Sequence, residues 1–290
     1  MKEIVIISGK GGTGKTSITA SLTALAQNSV IVDCDVDAAD LHILLSPEVE
    51  KRERFISGKL AAIKQDQCKN CGICVKHCKF GAIRSVDGTW KVDSAMCEGC
   101  GLCDFLCPAG AIDFQPRDCG EWFKSKTKYG PMIHAKLGIA AENSGRLVSL
   151  IKEEAKKCAQ ENGKNLILVD GPPGIGCPVI ASISGADCVL VITEPTMSGI
   201  HDLNRALELT DHFGIETLVA VNRYDINPDN ARKIKKICFG SKAKYVGKIS
   251  SDQSMVDAQI QGKSIVEYGN SKCIKEIENI WFNVKNWVEQ

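Results

Sequence analysis

The chain has 290 residues, enough for about two domains at roughly 100–200 residues each. Apolar residues make up 44% and charged residues 24%, the ordinary composition of a soluble globular protein. The formal net charge of +1 argues against a general nucleic-acid binder, which usually carries a basic surplus. No run of about 18 apolar residues is present, so no membrane-spanning helix is predicted. Because a strand-like segment rather than a signal peptide opens the chain, we expect a cytoplasmic protein.

Short apolar runs alternate with longer helical stretches outside the middle of the chain. Strands are predicted at Ile4–Ile7, Val30–Val32, Leu166–Val169, Val189–Ile192 and Leu218–Val221. Helices are predicted at Ser17–Gln27, Ser144–Gln160 and Asp202–Phe213. Continuous apolar strands that alternate with helices indicate a mostly parallel sheet covered on both faces. The predicted fold class is therefore α/β, with a doubly wound, mostly parallel sheet.

The middle of the chain is rich in cysteine and glycine and shows little helical periodicity. Eight of the fifteen cysteines fall between Cys68 and Cys107. We therefore predict a discontinuous α/β domain, with a first part at 1–61, an insertion at 62–115 and a second part at 116–290. The stretches 52–64 and 116–129 are interpreted as connectors that pack on either domain.

The insertion contains an internal repeat. Cys-x2-Cys-x2-Cys-x3-Cys occurs twice, displaced by 29 residues. A pair of zinc knuckles is the alternative, but zinc usually takes two separated Cys-x2-Cys pairs. The spacing resembles that of bacterial ferredoxins with two [4Fe–4S] clusters, in which the fourth cysteine of each run serves the other cluster. This resemblance assigns one cluster to Cys68, Cys71, Cys74 and Cys107, and the other to Cys78, Cys97, Cys100 and Cys103.

A glycine-rich loop follows the first predicted strand. Its pattern of Gly, four residues and Gly-Lys-Thr is typical of a phosphate-binding loop, whose backbone N–H groups face the nucleotide phosphates. Lys15 is expected to reach the β- and γ-phosphates, and Thr16 to ligate Mg2+. The helix that follows points its positive end at the same place. The predicted nucleotide-binding residues of the loop are Gly9, Gly11, Gly12, Thr13, Gly14, Lys15, Thr16 and Ser17.

A further lysine within this loop, Lys10, carries a more specific resemblance. Lys-Gly-Gly-x-Gly-Lys-Thr resembles the deviant Walker A loop of the MinD/ParA/Mrp group of dimeric P-loop ATPases, which includes the nitrogenase iron protein. The resemblance implies a P-loop NTPase sheet, ATP and Mg2+ as ligands, and a homodimer that forms with ATP. It also implies that Lys10 reaches across that dimer to the nucleotide of the partner.

Polar residues at the ends of later strands fit the same resemblance. It implies that Asp35 orients the attacking water and acts in catalysis with Lys10 and Lys15. Asp33 and Asp170 are then partners of Mg2+, together with Thr16. Asn222 and Arg223 stand at the position that resembles the adenine-recognition site of the family. Carboxylates at strand ends beside a phosphate loop occupy the place where an open α/β sheet binds ligands.

The chain as a whole resembles MinD-like ATPases that carry an inserted two-cluster ferredoxin domain, often labelled cobyrinic acid a,c-diamide synthase-like. The segments 174–179 and 142–145 resemble theirs. The resemblance implies electron transfer, or maturation of a metallocofactor or iron–sulfur protein, controlled by nucleotide state and serving an unidentified redox or metalloprotein partner. The alternative is a MinD-like positioning ATPase whose clusters are structural or sense oxygen. An amidoligase is a weaker third interpretation, because no glutaminase domain is evident.

Two further features of the family are not expected in this chain. A cluster that bridges the dimer needs two cysteines per subunit, and Cys177 has no second cysteine near Glu142, so Cys177 is predicted to pack within the second switch. The C-terminal segment Lys272–Val288 has apolar residues at helical spacing, but residues 271–290 balance three lysines against three glutamates. We therefore predict a helix docked on the sheet rather than a stable membrane anchor. No specific nucleic-acid partner is expected.

Overall fold

The computed structural model describes residues 1–138, 144–269 and 271–288. Its main feature is a nine-stranded sheet with the strand order β11-β10-β9-β1-β8-β2-β7-β6-β3. A separate hairpin pairs β4 with β5. The strands are β1 (Lys2–Ser8), β2 (Ser29–Asp33), β3 (Glu48–Ile63), β4 (Ile83–Val86), β5 (Thr89–Val92), β6 (Ile112–Thr127), β7 (Gly130–Leu137), β8 (Leu166–Pro173), β9 (Cys188–Thr193), β10 (Glu216–Val221) and β11 (Lys244–Lys248).

The centre of the sheet is parallel and fully buried. β1 pairs in parallel with β8 on one side and β9 on the other, and parallel pairing continues to β2, β7, β10 and β11. All five residues of β2 and all six of β9 are buried. Strands buried on both faces need apolar side chains on both, which explains why the sequence shows continuous apolar runs instead of alternation. The predicted α/β class with a large, mostly parallel sheet is confirmed.

Helices connect and cover these strands. They are α1 (Lys15–Ala26), α2 (Leu41–Leu45), α3 (Ile73–His77), α4 (Leu102–Phe105), α5 (Ser144–Glu161), α6 (Cys177–Ile183), α7 (Met197–His212), α8 (Pro228–Phe239), α9 (Gln253–Ile260), α10 (Ile265–Tyr268) and α11 (Cys273–Val288), with a short 3-10 helix at Tyr224–Ile226. Among the described residues, no helix has the length and apolar character that crossing a bilayer requires.

The C-terminal helix α11 packs against the sheet, as predicted. Ile277, Ile280 and Val284 are completely buried in the same apolar cluster as residues of β1, β9 and β10. Their spacing of three and four residues places them on one face of the helix. The apolar stripe of α11 therefore belongs to the protein core.

The chain forms two compact units. Of the described residues, the first comprises 1–53, 122–136, 144–269 and 271–288, and the second comprises 54–121, 137 and 138. The stretches 52–64 and 116–129, interpreted from the sequence as connectors, lie largely within the 16-residue strands β3 and β6. Their mixed polar and apolar residues lack the continuous apolar run of the central strands, so sequence pattern alone missed them. The domain limits 1–61, 62–115 and 116–290 stay a prediction.

Candidate functional site

The glycine-rich loop runs from the end of β1 to the start of α1. Gly12 and Gly14 both have φ of +83°, a conformation that side chains with a Cβ rarely adopt. At Gly9 a Cβ would lie 2.2 Å from the Cβ of Asp202, so only glycine fits there. No acidic residue occupies the first turn of α1, and no side chain caps its N-terminus. The free N–H groups and the positive end of the helix dipole therefore remain available to an anion.

Lys15 lies at the centre of a buried charged group. Its ammonium nitrogen is 2.9 Å from the Asp170 carboxylate and 3.6 Å from that of Asp35. The Asp170 carboxylate also accepts hydrogen bonds from the hydroxyls of Thr16, at 2.9 Å, and Thr19, at 2.8 Å. Burial lowers the pKa of Lys15, but Asp170 and Asp35 raise it by more, so the pKa is raised overall and the lysine stays protonated. The site thus brings together the lysine, hydroxyl and carboxylates that the sequence predicted.

The two aspartates that follow β2 have different surroundings. Both carboxylate oxygens of Asp33 accept backbone N–H groups, one from Asp35 at 3.1 Å and one from Leu41 at 3.2 Å. Burial, and then the negative charge of Asp170, raise the pKa of Asp33 well above its usual value. Burial also raises the pKa of Asp35, against the opposing effect of Lys15. Asp33 fixes the backbone of this loop, while Asp35 faces the cavity.

A cavity of about 640 Å³ lies beside the loop, within the size range of small-molecule sites. Its lining includes residues 11–17 of the glycine-rich loop and α1, Asp35, Asn222 and Arg223. Residues 250–253, 255, 256 and 259, which sequence reasoning missed, line the same cavity. No motif marks these residues, because tertiary packing alone brings α9 and the residues before it to the site. The Gln259 side chain of α9 donates to the Ser17 hydroxyl.

Asn222 contacts the glycine-rich loop. Its amide nitrogen donates to the carbonyl of Thr13 at 2.8 Å, and its amide oxygen accepts the N–H of Arg223 at 3.0 Å. A Cβ on Gly14 would lie 2.5 Å from the Asn222 amide nitrogen. Asn222 therefore holds the glycine-rich loop in place, and its role in adenine recognition stays a prediction.

Glu194 is a further charged residue of the site that sequence reasoning missed. Its carboxylate lies 2.6 Å from the Arg223 guanidinium and 3.9 Å from the Lys10 ammonium, which also donates to the Ser198 hydroxyl at 3.2 Å. Lys10 is 41% exposed and lies outside the lining of the cavity. Glu194 directly follows β9, so it is a carboxylate at a strand end, like Asp35 and Asp170. That position is the signal in the sequence that could have found it.

The eight repeat cysteines all lie in the second compact unit. Four of them, Cys68, Cys71, Cys74 and Cys107, line one cavity together with Trp90. The N–H of Ala111 points to the sulfur of Cys107 at 3.4 Å. Cys97 and Cys103 belong to an apolar cluster that also includes Cys74, Cys78 and Cys107. In the described part of the chain, no group of three or more His, Cys, Asp or Glu side chains has the arrangement needed to hold a metal ion.

The local backbone of the two repeats is also similar. α3 and α4 each follow a glycine of positive φ, Gly72 at +73° and Gly101 at +83°. Both helices are single short turns that begin two residues after the second cysteine of the run. The internal repeat seen in the sequence is therefore a structural repeat.

The prediction that Cys177 packs within the second switch is wrong. Cys177 is exposed, at the start of α6. The buried residues of that helix are Val179, Ser182 and Ile183, and Cys177 stands on the opposite face at 100° per residue. Glu142, near which a second cysteine would be needed for a cluster that bridges the dimer, lies outside the described residues.

Comparison with known proteins identifies the family. The protein-family model of the CobQ/CobB/MinD/ParA nucleotide-binding domain matches residues 4–265 of this chain. The uncharacterised protein MJ0578 of Methanocaldococcus jannaschii is 38% identical over 231 residues, 79% of this chain and 80% of the relative. MinD of Bacillus subtilis, a septum site-determining protein, is 25% identical over 90% of this chain and 81% of its own length. Pyrococcus horikoshii MinD, solved with Mg-ADP, has the same fold, with a TM-score of 0.61 at 17% identity over 99% of this chain and 96% of its own. This chain belongs to the CobQ/CobB/MinD/ParA family of nucleotide-binding domains.

Proposed function

We propose that the protein is a Mg2+-dependent ATPase that forms a dimer with ATP and whose nucleotide state controls two [4Fe–4S] clusters. The observation that carries the ATPase part is the contact of Lys15 with Asp170 and Asp35 at the cavity beside the glycine-rich loop. A buried lysine, a carboxylate linked to a loop threonine and a second carboxylate facing the cavity are the parts used in phosphoryl transfer.

Each of these residues has a role in the proposed reaction. Lys15 moves from its carboxylate partners to the β- and γ-phosphates, and backbone N–H groups of the loop bind the β-phosphate. Thr16 and Asp170 are hydrogen-bonded oxygen ligands suited to Mg2+, which when bound neutralises phosphate charge. Asp35 orients the attacking water. The Lys10 side chain is 41% exposed and lies outside the lining of the cavity in its own subunit. In the dimer it contacts the nucleotide of the partner subunit.

ATP binding tests the core of this proposal. The Lys15→Ala variant should lose binding of a fluorescent ATP analogue, because the only ammonium group inside the described charged cluster is removed. Lys242→Ala, which removes a lysine that is 88% exposed, is the matched control. Light scattering with and without Mg-ATP measures the dimer. Equal nucleotide binding by the two variants would overturn the assignment of the site.

The cluster part of the proposal is supported by how the cysteines are grouped. The cavity lined by Cys68, Cys71, Cys74 and Cys107 combines three cysteines of the first run with the fourth of the second. That set is the one expected for a [4Fe–4S] cluster with crossed ligation. Glycines of positive φ and the N–H that points to the Cys107 sulfur suit such a group. When bound, the two clusters supply one-electron redox chemistry.

The second cluster is proposed at Cys78, Cys97, Cys100 and Cys103. The structural repeat and the shared apolar cluster support this assignment. Protein purified without oxygen should contain about eight irons and eight sulfides per chain, with little zinc. A stoichiometric zinc content without iron would support zinc knuckles and overturn this part of the proposal.

The second candidate is a MinD-like positioning ATPase whose clusters are structural or sense oxygen. The curated relatives favour it, because MinD of Bacillus subtilis, a septum site-determining protein, is 25% identical over 90% of this chain. A redox titration separates the two candidates. Midpoint potentials that change with a non-hydrolysable ATP analogue, matched by a change in ATP affinity on reduction, support nucleotide-controlled electron transfer. Clusters that exchange no electrons with low-potential donors support the positioning ATPase.

A further inference from the structure

The two cysteine repeats share their ligand pattern but differ in charge. Residues 68–80 contain three lysines and no acidic residue. The matching stretch of the second repeat, 97–109, contains two carboxylates and no lysine or arginine. The differences fall on equivalent positions, since Lys69 corresponds to Glu98 and Lys76 to Phe105. Because both repeats form the same turn and helix, the local fold does not require this difference in charge.

The lysines of the first repeat are available to a partner. Lys69, Lys76 and Lys79 are all exposed. None of the ion pairs found in the described residues includes any of the three. Lys69 also lines the cavity formed by the first group of four cysteines. Cys71 of that group is exposed, so the cavity reaches the surface beside Lys69.

The second repeat presents a different surface. Phe105 is 86% exposed, and Leu102 and Met96 are 39% and 47% exposed. The carboxylates of Glu98 and Asp104 lie on exposed residues of the same repeat. An acidic, partly apolar surface repels the partner that a lysine-rich surface attracts. The two groups of cysteines therefore have surroundings suited to different partners.

We propose that Lys69, Lys76 and Lys79 form a basic docking face for an acidic redox protein at the first group of four cysteines. The inference rests on the proposed function, because it assigns a partner class to the first cluster. Unpaired surface cations guide an oppositely charged protein into a specific encounter. Lys69 lines the cysteine cavity, and Lys76 and Lys79 follow within the same repeat, so a protein attracted by these charges is brought to the site where an electron would be exchanged.

Binding of a defined acidic probe tests the docking face. The probe is a small acidic two-[4Fe–4S] ferredoxin, titrated into the protein purified without oxygen, at low and at high ionic strength. The variant replaces Lys69, Lys76 and Lys79 by Gln. The control replaces Lys233, Lys235 and Lys236 of α8 by Gln, which changes the net charge equally at three exposed lysines of the other unit.

We expect the probe to bind the wild type and the control alike, with an affinity that falls as salt is added. The variant should bind roughly tenfold more weakly, with little remaining salt dependence. Equal binding by variant and wild type, with iron content intact, would overturn the docking face alone. Equal weakening in the control, or lysine-dependent binding of duplex DNA in place of the ferredoxin, would also overturn it. A wild type without iron would instead overturn the cluster part of the proposed function.

Discussion

Replacing Asn222 by alanine should weaken nucleotide binding without changing the preference for the base. The Asn222 amide is 4% exposed and donates to the Thr13 carbonyl at 2.8 Å. Losing the partner of a buried carbonyl costs about 1–3 kcal/mol. If the loop of the free variant relaxes and only the nucleotide-bound loop bears that cost, affinity falls roughly 5- to 150-fold, at about 1.4 kcal/mol per factor of ten. Asn222→Asp, which keeps the acceptor for Arg223 but loses the donor, should lose at least as much.

Titration with fluorescent ATP and GTP analogues in the presence of Mg2+ measures this effect. Because the amide holds the loop that binds phosphates, affinity for both nucleotides should fall by the same factor. Thermal unfolding of each variant shows whether the fold is intact. A loss of preference for ATP over GTP, with GTP affinity unchanged, would refute this reasoning and support the adenine-recognition role that the sequence predicts for Asn222.

Three further predictions concern other parts of the molecule. Lys10→Ala should retain nucleotide binding but lose hydrolysis and the ATP-dependent dimer, since Lys10 lies outside its own cavity; wild-type turnover would contradict a role across the dimer. Cys107→Ala should damage the cluster at Cys68–Cys74, as followed by iron content and electron paramagnetic resonance, whereas loss confined to Cys97–Cys103 would contradict the crossed ligation. Burial, and then His42, lower the pKa of His134 from 6.5 to about 4. The unfolded state then binds the proton more readily, so stability should fall by up to about 3 kcal/mol as the pH falls from 7 to below 4. Urea unfolding of the wild type and His134→Phe at several pH values measures this term, and a pH-independent difference between them would contradict it.

The central strands and the glycine-rich loop could be predicted because their causes are local in sequence. A parallel strand buried on both faces requires a continuous apolar run, and β1, β8, β9 and β10 each contain one. Gly12 and Gly14 are needed for their own positive φ angles. The cysteine repeat is equally local, since its spacing and its glycines lie within single turns of chain.

Strands without an apolar run were not predicted. β3 has exposed residues at its first seven positions, so its sequence resembles a polar connector. Its strand structure comes from pairing with β6, which lies far away in the chain. Backbone hydrogen bonds of this kind leave no pattern in side-chain type, and sequence periodicity cannot detect them.

The roles of individual site residues depended on tertiary contacts. Sequence alone predicted that Lys15, Thr16, Asp35 and Asp170 lie near one another beside the glycine-rich loop, because each follows a strand or opens a helix in a recognisable pattern. Only the folded chain determined that Asn222 holds the glycine-rich loop, a contact across 209 residues. Only the folded chain also showed that the Glu194 carboxylate lies near both Lys10 and Arg223. Hydrogen bonds and ion pairs form between groups that packing brings within about 3–4 Å, and sequence separation carries no information about that distance.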